Sequence, residues 1–277
     1  MPFTPEWMIC QTSDFEESAF RENIALTGET VHYHRKQWEY AYVLTMAQGL
    51  GLTGPGTRAL GIGVLQEPVV DALASLGGSV LATDLAMFDV SATPIFQRRM
   101  ADPDFPHAQI RGLNGRAITE ADRFKTAVSF DYLDILDDAA VQAAGTFDLV
   151  WACAVLPHMG SAAAIGKALD NTRRLLRPGG WALHTFDVQF THKKGQTLND
   201  LHFLSESDVA ALYKTYLPPS GWRRHRAARN ALRRSRSAED RDPQVSAEMN
   251  RHICAQIGDM AVGSAGIALP AIKEEKP

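Results

Sequence analysis

From Arg58 onward, short apolar and β-branched runs alternate with stretches whose apolar positions recur every three or four residues. Buried parallel strands read as continuous apolar runs and their crossover helices as amphipathic ones, so the alternation predicts a parallel sheet covered on both faces. Five strands are expected in order, at residues 58–64, 79–85, 127–133, 147–156 and 181–188. Two more, at 252–258 and 266–272, are separated only by 259–265, too short for a parallel crossover, so they are expected to pair antiparallel. The expected fold class is α/β: a doubly wound, mostly parallel seven-stranded sheet with an antiparallel last strand. Helix ends are also legible. Pro68 stands at a first helical position, Val69, Leu73 and Leu76 follow at helical spacing, and Gly77-Gly78 stops the run. Further on, Ser161 is a fitting N-cap, Ile165, Leu169, Thr172 and Leu176 share a face, and Pro178-Gly179-Gly180 ends the segment.

Two segments lie outside the alternation. Residues 1–57 hold no expected strand and read as an N-terminal helical cap, with a polar and aromatic run from His32 to Tyr40. Residues 218–249 read as a basic insertion: between Gly221 and Arg241 there are eight arginines against Glu239 and Asp240, a local charge of +6. This leaves 58–217 as the core and 250–277 as a C-terminal β-hairpin completing the sheet.

Composition adds exclusions. The net charge of −4 gives no global attraction to nucleic acid or anionic lipid, so neither partner is expected. The arginine-rich stretch has Trp222 alone as an aromatic, and reads more simply as a solvated helix face than as a nucleic-acid site. Cys10, Cys153 and Cys254 form no close pair, which excludes a disulfide framework or a zinc site built from cysteines and suggests reduced thiols in the cytoplasm. No run approaches the ~18 apolar residues of a membrane span, and the start lacks the pattern of an export signal, so neither anchor nor export is expected.

In a parallel sheet, ligands bind beyond the carboxyl ends of the strands, which makes the residues just after each strand the informative ones. After the first comes Gly61-Ile62-Gly63-Val64-Leu65-Gln66-Glu67-Pro68, whose glycines allow close backbone approach. The second ends in Asp84, 21 residues beyond Gly63, where a carboxylate can accept from both hydroxyls of a ribose. Together these describe a nucleoside-binding half.

Taken in order, ALGIGVLQEP, VLATDLA, FDYLDIL, FDLVWACAVLPHMG and TRRLLRPGGWALHTFD resemble the class I S-adenosylmethionine-dependent methyltransferases over roughly residues 58–188. The FDLV strand followed by a helix ending in Leu176-Arg177-Pro178-Gly179-Gly180 is the most specific part. The resemblance implies a Rossmann-like core and S-adenosylmethionine as cofactor. It implies Gly61 and Gly63 at the methionine end, Asp84 on the ribose, Leu85 against the adenine, and Asp134 with Ile135 near the adenine amino group. Asp131 competes for that last contact, and Asp134 reads equally well as a helix N-cap. Ala152 and Cys153 are implied beside the sulfur. The chain departs from the usual loop in having Gly61 at the acidic position and Leu65 and Glu67 where later glycines fall. It is similar instead to bacterial relatives with a Gly-x-Gly-x-x-x-Glu-Pro loop and an upstream His-Arg-Lys-x-Trp-Glu segment, which implies that Glu67 is a functional loop residue.

Methyl transfer from a sulfonium needs mainly a nucleophile held ~3 Å away in line, and only an oxygen nucleophile strongly needs a base. His158 is the first candidate for that base, although a structural role fits it as well. His184, Asp187 and His192 are further polar candidates for that role near the acceptor. His34, Arg35 and Lys36 could hold a carboxylate of cofactor or substrate, with Trp38 a further substrate candidate, while most of the aromatic run suits core packing. The expected activity is methyl transfer to a small-molecule acceptor. Alternatives are attack on the sulfonium at another carbon, including cyclisation by its own amino group, and a non-catalytic protein binding an adenosyl ligand.

Overall fold

The computed structural model describes residues 7–85, 112–216 and 238–272. The arginines from 223 to 236 lie outside the described residues. Ten strands are described: β1 (Met8–Ile9), β2 (Arg58–Ile62), β3 (Ser79–Asp84), β4 (Val128–Tyr132), β5 (Phe147–Cys153), β6 (Leu176–Gln189), β7 (Gln196–Leu198), β8 (Leu201–Ser205), β9 (Ala255–Ile257) and β10 (Met260–Pro270). The main path runs β1-β10-β6-β5-β2-β3-β4, with β2 to β6 mutually parallel and β10 antiparallel to β6. That is a mostly parallel Rossmann-like sheet with one reversed strand near its edge. β5 lies between β2 and β6 and is buried at every position, which is why FDLVWAC reads as one unbroken apolar run.

Helices cover both faces. Tyr42 and Val43 of α2 (Arg35–Gly49) and Val69 of α3 (Val69–Ser75) share one core cluster with Leu149 and Trp151 of β5. Val141 of α5 (Asp138–Ala144), Ile165 of α6 (Ala162–Arg174) and Val209 of α7 (Glu206–Tyr216) share a second with Val150 and Phe186. Two helices not yet placed, α1 (Ser18–Leu26) and α4 (Ala121–Ala127), join the first layer, and α8 (Ala238–Arg241) and α9 (Pro243–Glu248) lead into β9. Ser161 caps α6 by accepting from the Ala164 amide at 3.2 Å. Among the described residues no helix is long and apolar enough to cross a membrane.

Several expectations need correction. Residues 1–57 do contribute a strand, β1, held at the edge by antiparallel pairing of Met8 with Gly266. Leu176 does not extend the helix: α6 stops at Arg174, and Leu176 opens β6 opposite Phe147, ahead of a bulge at Pro178-Gly179-Gly180 where Gly179 has φ +84°. The C-terminal hairpin exists with a tighter turn. Gly258 (φ +60°) and Asp259 make it, and 260–265 belong to β10. Small residues mask that strand because bulky rings press on them: a Cβ on Gly266 would sit 2.5 Å from the Tyr42 ring. The β7–β8 hairpin was not expected from the apolar pattern. Its two-residue turn, Asn199-Asp200 with φ +49° and +63°, is the signal that encodes it.

Candidate cofactor and acceptor site

The turn from β2 to α3 brings Gly63 and Leu65 to the tips of the sheet. Gly63 has φ +62°, and a Cβ there would meet the Val155 side chain at 2.7 Å, so only glycine fits without a shift. Leu65 takes φ +44° without being glycine, and its amide donates to Asp84 Oδ2 at 3.1 Å. Asp84 ends β3, and its Oδ1 accepts from the Leu85 amide at 2.9 Å. Each carboxylate oxygen thus holds one backbone N–H and keeps capacity for another donor, which matches the two hydroxyls of a ribose. Burial pushes the Asp84 pKa up, opposed by the amides of Leu85 and Leu65 and by the charge His158 can carry. Leu85 is exposed beside it.

At the next tip, Leu133 donates its amide to the Asp84 carbonyl at 3.0 Å. Asp134 is exposed and accepts from the Leu136 amide at 2.8 Å; the N-cap of α5 is Asp137, which accepts from Ala139 at the same distance. Asp131 is exposed on β4 and accepts from the Tyr132 amide.

Cys153 and Ala152 end β5 opposite Thr185 and His184. The alternation of the strand puts Cys153 on the α2 face and Ala152 on the α6 face. Beyond them, Ala154 (φ +56°) turns the chain into a short 3-10 helix, Leu156–Met159, that presents His158. Partial shielding of this ring from water, then the Lys36 charge, lowers its pKa, and Asp84 works the other way.

The first turn of α2 closes the site from above the β5 and β6 ends. Arg35 pairs with Asp187 on β6, and Lys36 donates to Glu39 Oε2 at 2.9 Å. Glu39 is fully buried, and its other oxygen accepts from Ser264 Oγ at 2.7 Å; Ser264 is the register partner of Asp187. Glu67 is buried and accepts from Trp151 Nε1 at 2.5 Å. Burial dominates its chemistry and pushes its pKa up to about 8, against the indole bond and Lys36. Burial likewise raises Asp187 to about 6, with Arg35 opposing and Glu39 reinforcing. The Cys153 thiol is held well above its ordinary value by burial and by Glu67. Burial disfavours the Lys36 charge, but Glu39 outweighs it and the net shift is upward. Lys36 stands with Arg35 as the sequence suggests, whereas Glu39 and Ser264 are members of this group that motif reading did not place. The His-Arg-Lys-x-Trp-Glu run carried the signal for Glu39.

The structure therefore brings together Gly63, Glu67, Asp84, Leu85, Cys153, His158, Arg35 and Asp187 around the β2, β3, β5 and β6 ends. Four candidates face elsewhere. Gly61 pairs with Trp151, and a Cβ on it would sit 2.4 Å from the indole, so its smallness serves packing between strands. Ile135 is buried in the core below α5 and α6. Trp38 is fully buried, donates to Asp14 Oδ2 at 2.6 Å and stacks on Tyr42. His184 lies on the opposite sheet face from Asp187, bonded to Thr172 Oγ1 at 3.2 Å, with burial driving its pKa down to about 3. His34 caps α2 by accepting from the Lys36 amide at 3.1 Å.

Residues 113–184 match the family model described as a methyltransferase domain, a span from before β4 into β6 that omits the Gly63 loop and Asp84. No curated protein matches the chain. Among solved structures, a candidate sarcosine dimethylglycine methyltransferase from Galdieria sulphuraria is 14% identical with a TM-score of 0.39, over 56% of this chain and 46% of that one. The chain thus spans about half the length of that relative. The (4+2)-cyclase SpnF is 14% identical over 96% and 99% with a TM-score of 0.45, and the CcbJ methyltransferase from Streptomyces caelestis 15% over 64% and 62% with 0.39. None of these likenesses fixes a substrate. The match over residues 113–184 is to a methyltransferase domain, whose usual cofactor is S-adenosylmethionine, and the mostly parallel sheet with its reversed strand is consistent with the Rossmann-like fold of such domains.

Proposed function

We propose that the protein transfers a methyl group from S-adenosylmethionine to a small-molecule acceptor by in-line displacement. The observation that carries this reading is the half-buried Asp84 carboxylate, poised beside the Gly63–Leu65 turn with one acceptor position left on each oxygen. When bound, the cofactor supplies a methyl on a sulfonium sulfur, already activated for displacement. In this reading Asp84 holds the ribose, Leu85 lies against the adenine and Asp134 meets its amino group. Gly63 lets the backbone approach the methionine end, and Ala152 and Cys153 lie beside the sulfur. Glu67 keeps its proton at neutral pH and so contributes a neutral buried donor instead of a charge. His158 takes a proton from the acceptor where that is an oxygen nucleophile, and its lowered pKa keeps the imidazole in the basic form at neutral pH.

Asp84→Ala tests the reading. Losing two charge-assisted bonds at roughly 1.5–3 kcal/mol each is expected to weaken binding of S-adenosylhomocysteine at least ~100-fold by calorimetry. Affinity unchanged from the wild type contradicts it. Product analysis by mass spectrometry separates methyl transfer, which leaves S-adenosylhomocysteine, from attack at another carbon, which does not.

A further inference from the structure

Arg35, whose Nη1 pairs with Asp187, also lines a cavity of about 610 Å³ between the start of α2 and the segment carrying α9 and β9. That size suits a small molecule. Among the described residues the polar wall consists of His34, Arg35, Gln244, His252, Cys254 and Gln256, with no carboxylate lining it. The nearby acids are engaged. Asp187 is on Arg35, Asp242 caps α9 by accepting from the Gln244 and Val245 amides, and Glu248 accepts from Gln244 Nε2 at 3.0 Å. The guanidinium has N–H groups beyond the one Asp187 takes. The wall is also braced. His252 donates its amide to the Tyr33 carbonyl at 2.6 Å and accepts the Arg35 amide at 3.1 Å, and its ring lies 6.0 Å from that of His34. His34 is the N-cap of the fifteen-residue α2, so the positive end of that helix adds to the cation and the imidazoles.

We infer that this cavity binds the oxyanion, a carboxylate or a phosphate, of a small molecule. Resting on the methyl-transfer reading, that molecule is the acceptor: Asp187, joined to the cavity wall through Arg35, lies two residues beyond Thr185, the register partner of Cys153 at the β5 end. Anion binding itself does not depend on that reading.

The test titrates wild type, Ala247→Glu and Ala247→Gln with benzoate, phenyl phosphate and neutral benzamide, and in parallel with S-adenosylhomocysteine. Ala247 is exposed on α9 and lines the cavity, so Glu places a like charge in the wall without disturbing the core. At least one anion is expected to bind wild type and to shift the imidazole resonances of His34 and His252, with benzamide inert. Ala247→Glu should weaken it roughly tenfold or more and Ala247→Gln little. Whichever anion binds tighter assigns carboxylate or phosphate. Neither anion binding, or binding equally to Ala247→Glu, overturns the inference even where S-adenosylhomocysteine binds normally. Anion binding with no S-adenosylhomocysteine binding leaves the inference standing and removes the cofactor reading instead.

Discussion

Glu67 shows how burial decides the chemistry of a single residue. The Trp151 indole and Lys36 favour its charged form, yet desolvation outweighs both and its pKa rises to about 8. A carboxyl whose folded pKa exceeds its unfolded value binds more protons in the native state. Its contribution to stability is fully present below the unfolded value, ~4.3, and is lost as pH climbs through about 8. Asp187, raised to about 6, acts in the same direction over the lower part of that window. Melting measured from pH 5 to 8.5 is therefore expected to show falling stability, and Glu67→Gln, which keeps a neutral side chain of the same shape, should flatten the fall. An unchanged slope would mean that Glu67 is already ionised at pH 5. At this scale the sequence singled out most of the residues that gather at the strand ends, because motif spacing carries loop positions well. It erred where two residues of one strand face opposite ways: His184 and Asp187 were grouped by proximity in sequence, and the pleat separates them.

The elements were legible where apolar runs were long and their ends punctuated, as in β5 and in α6 with its Ser161 cap. They were hidden where a partner element dictates size. β10 is written in small residues because Tyr42 and Phe190 fill the space above Gly266 and Gly263, so its apolar signal is weak although the strand is one of the longest. Gly61 is a second case of smallness imposed by a neighbour. Gly61→Ala forces a methyl against the Trp151 ring and the Val64 side chain, an overpacking worth ~1–3 kcal/mol. Denaturant unfolding should show a loss of that size, with S-adenosylhomocysteine affinity per folded molecule little changed. A variant of full stability but reduced affinity would return Gly61 to the binding loop.

The whole molecule sets a parallel five-stranded block against a reversed β10 and lays helices on both faces, so polar groups can collect in one place without interrupting either core. That place is where the β2, β3, β5 and β6 ends meet the first turn of α2. The fold class was readable because periodicity and connection length are properties of the chain alone. The cavity beside Arg35 was not, because its wall joins His34 and Arg35 to residues more than two hundred positions later. The most direct measurement is a crystal structure with S-adenosylhomocysteine. The ribose hydroxyls are expected within ~2.5–3.0 Å of the two Asp84 oxygens, with the sulfur beside Cys153. A nucleoside seated away from Asp84 would contradict the account.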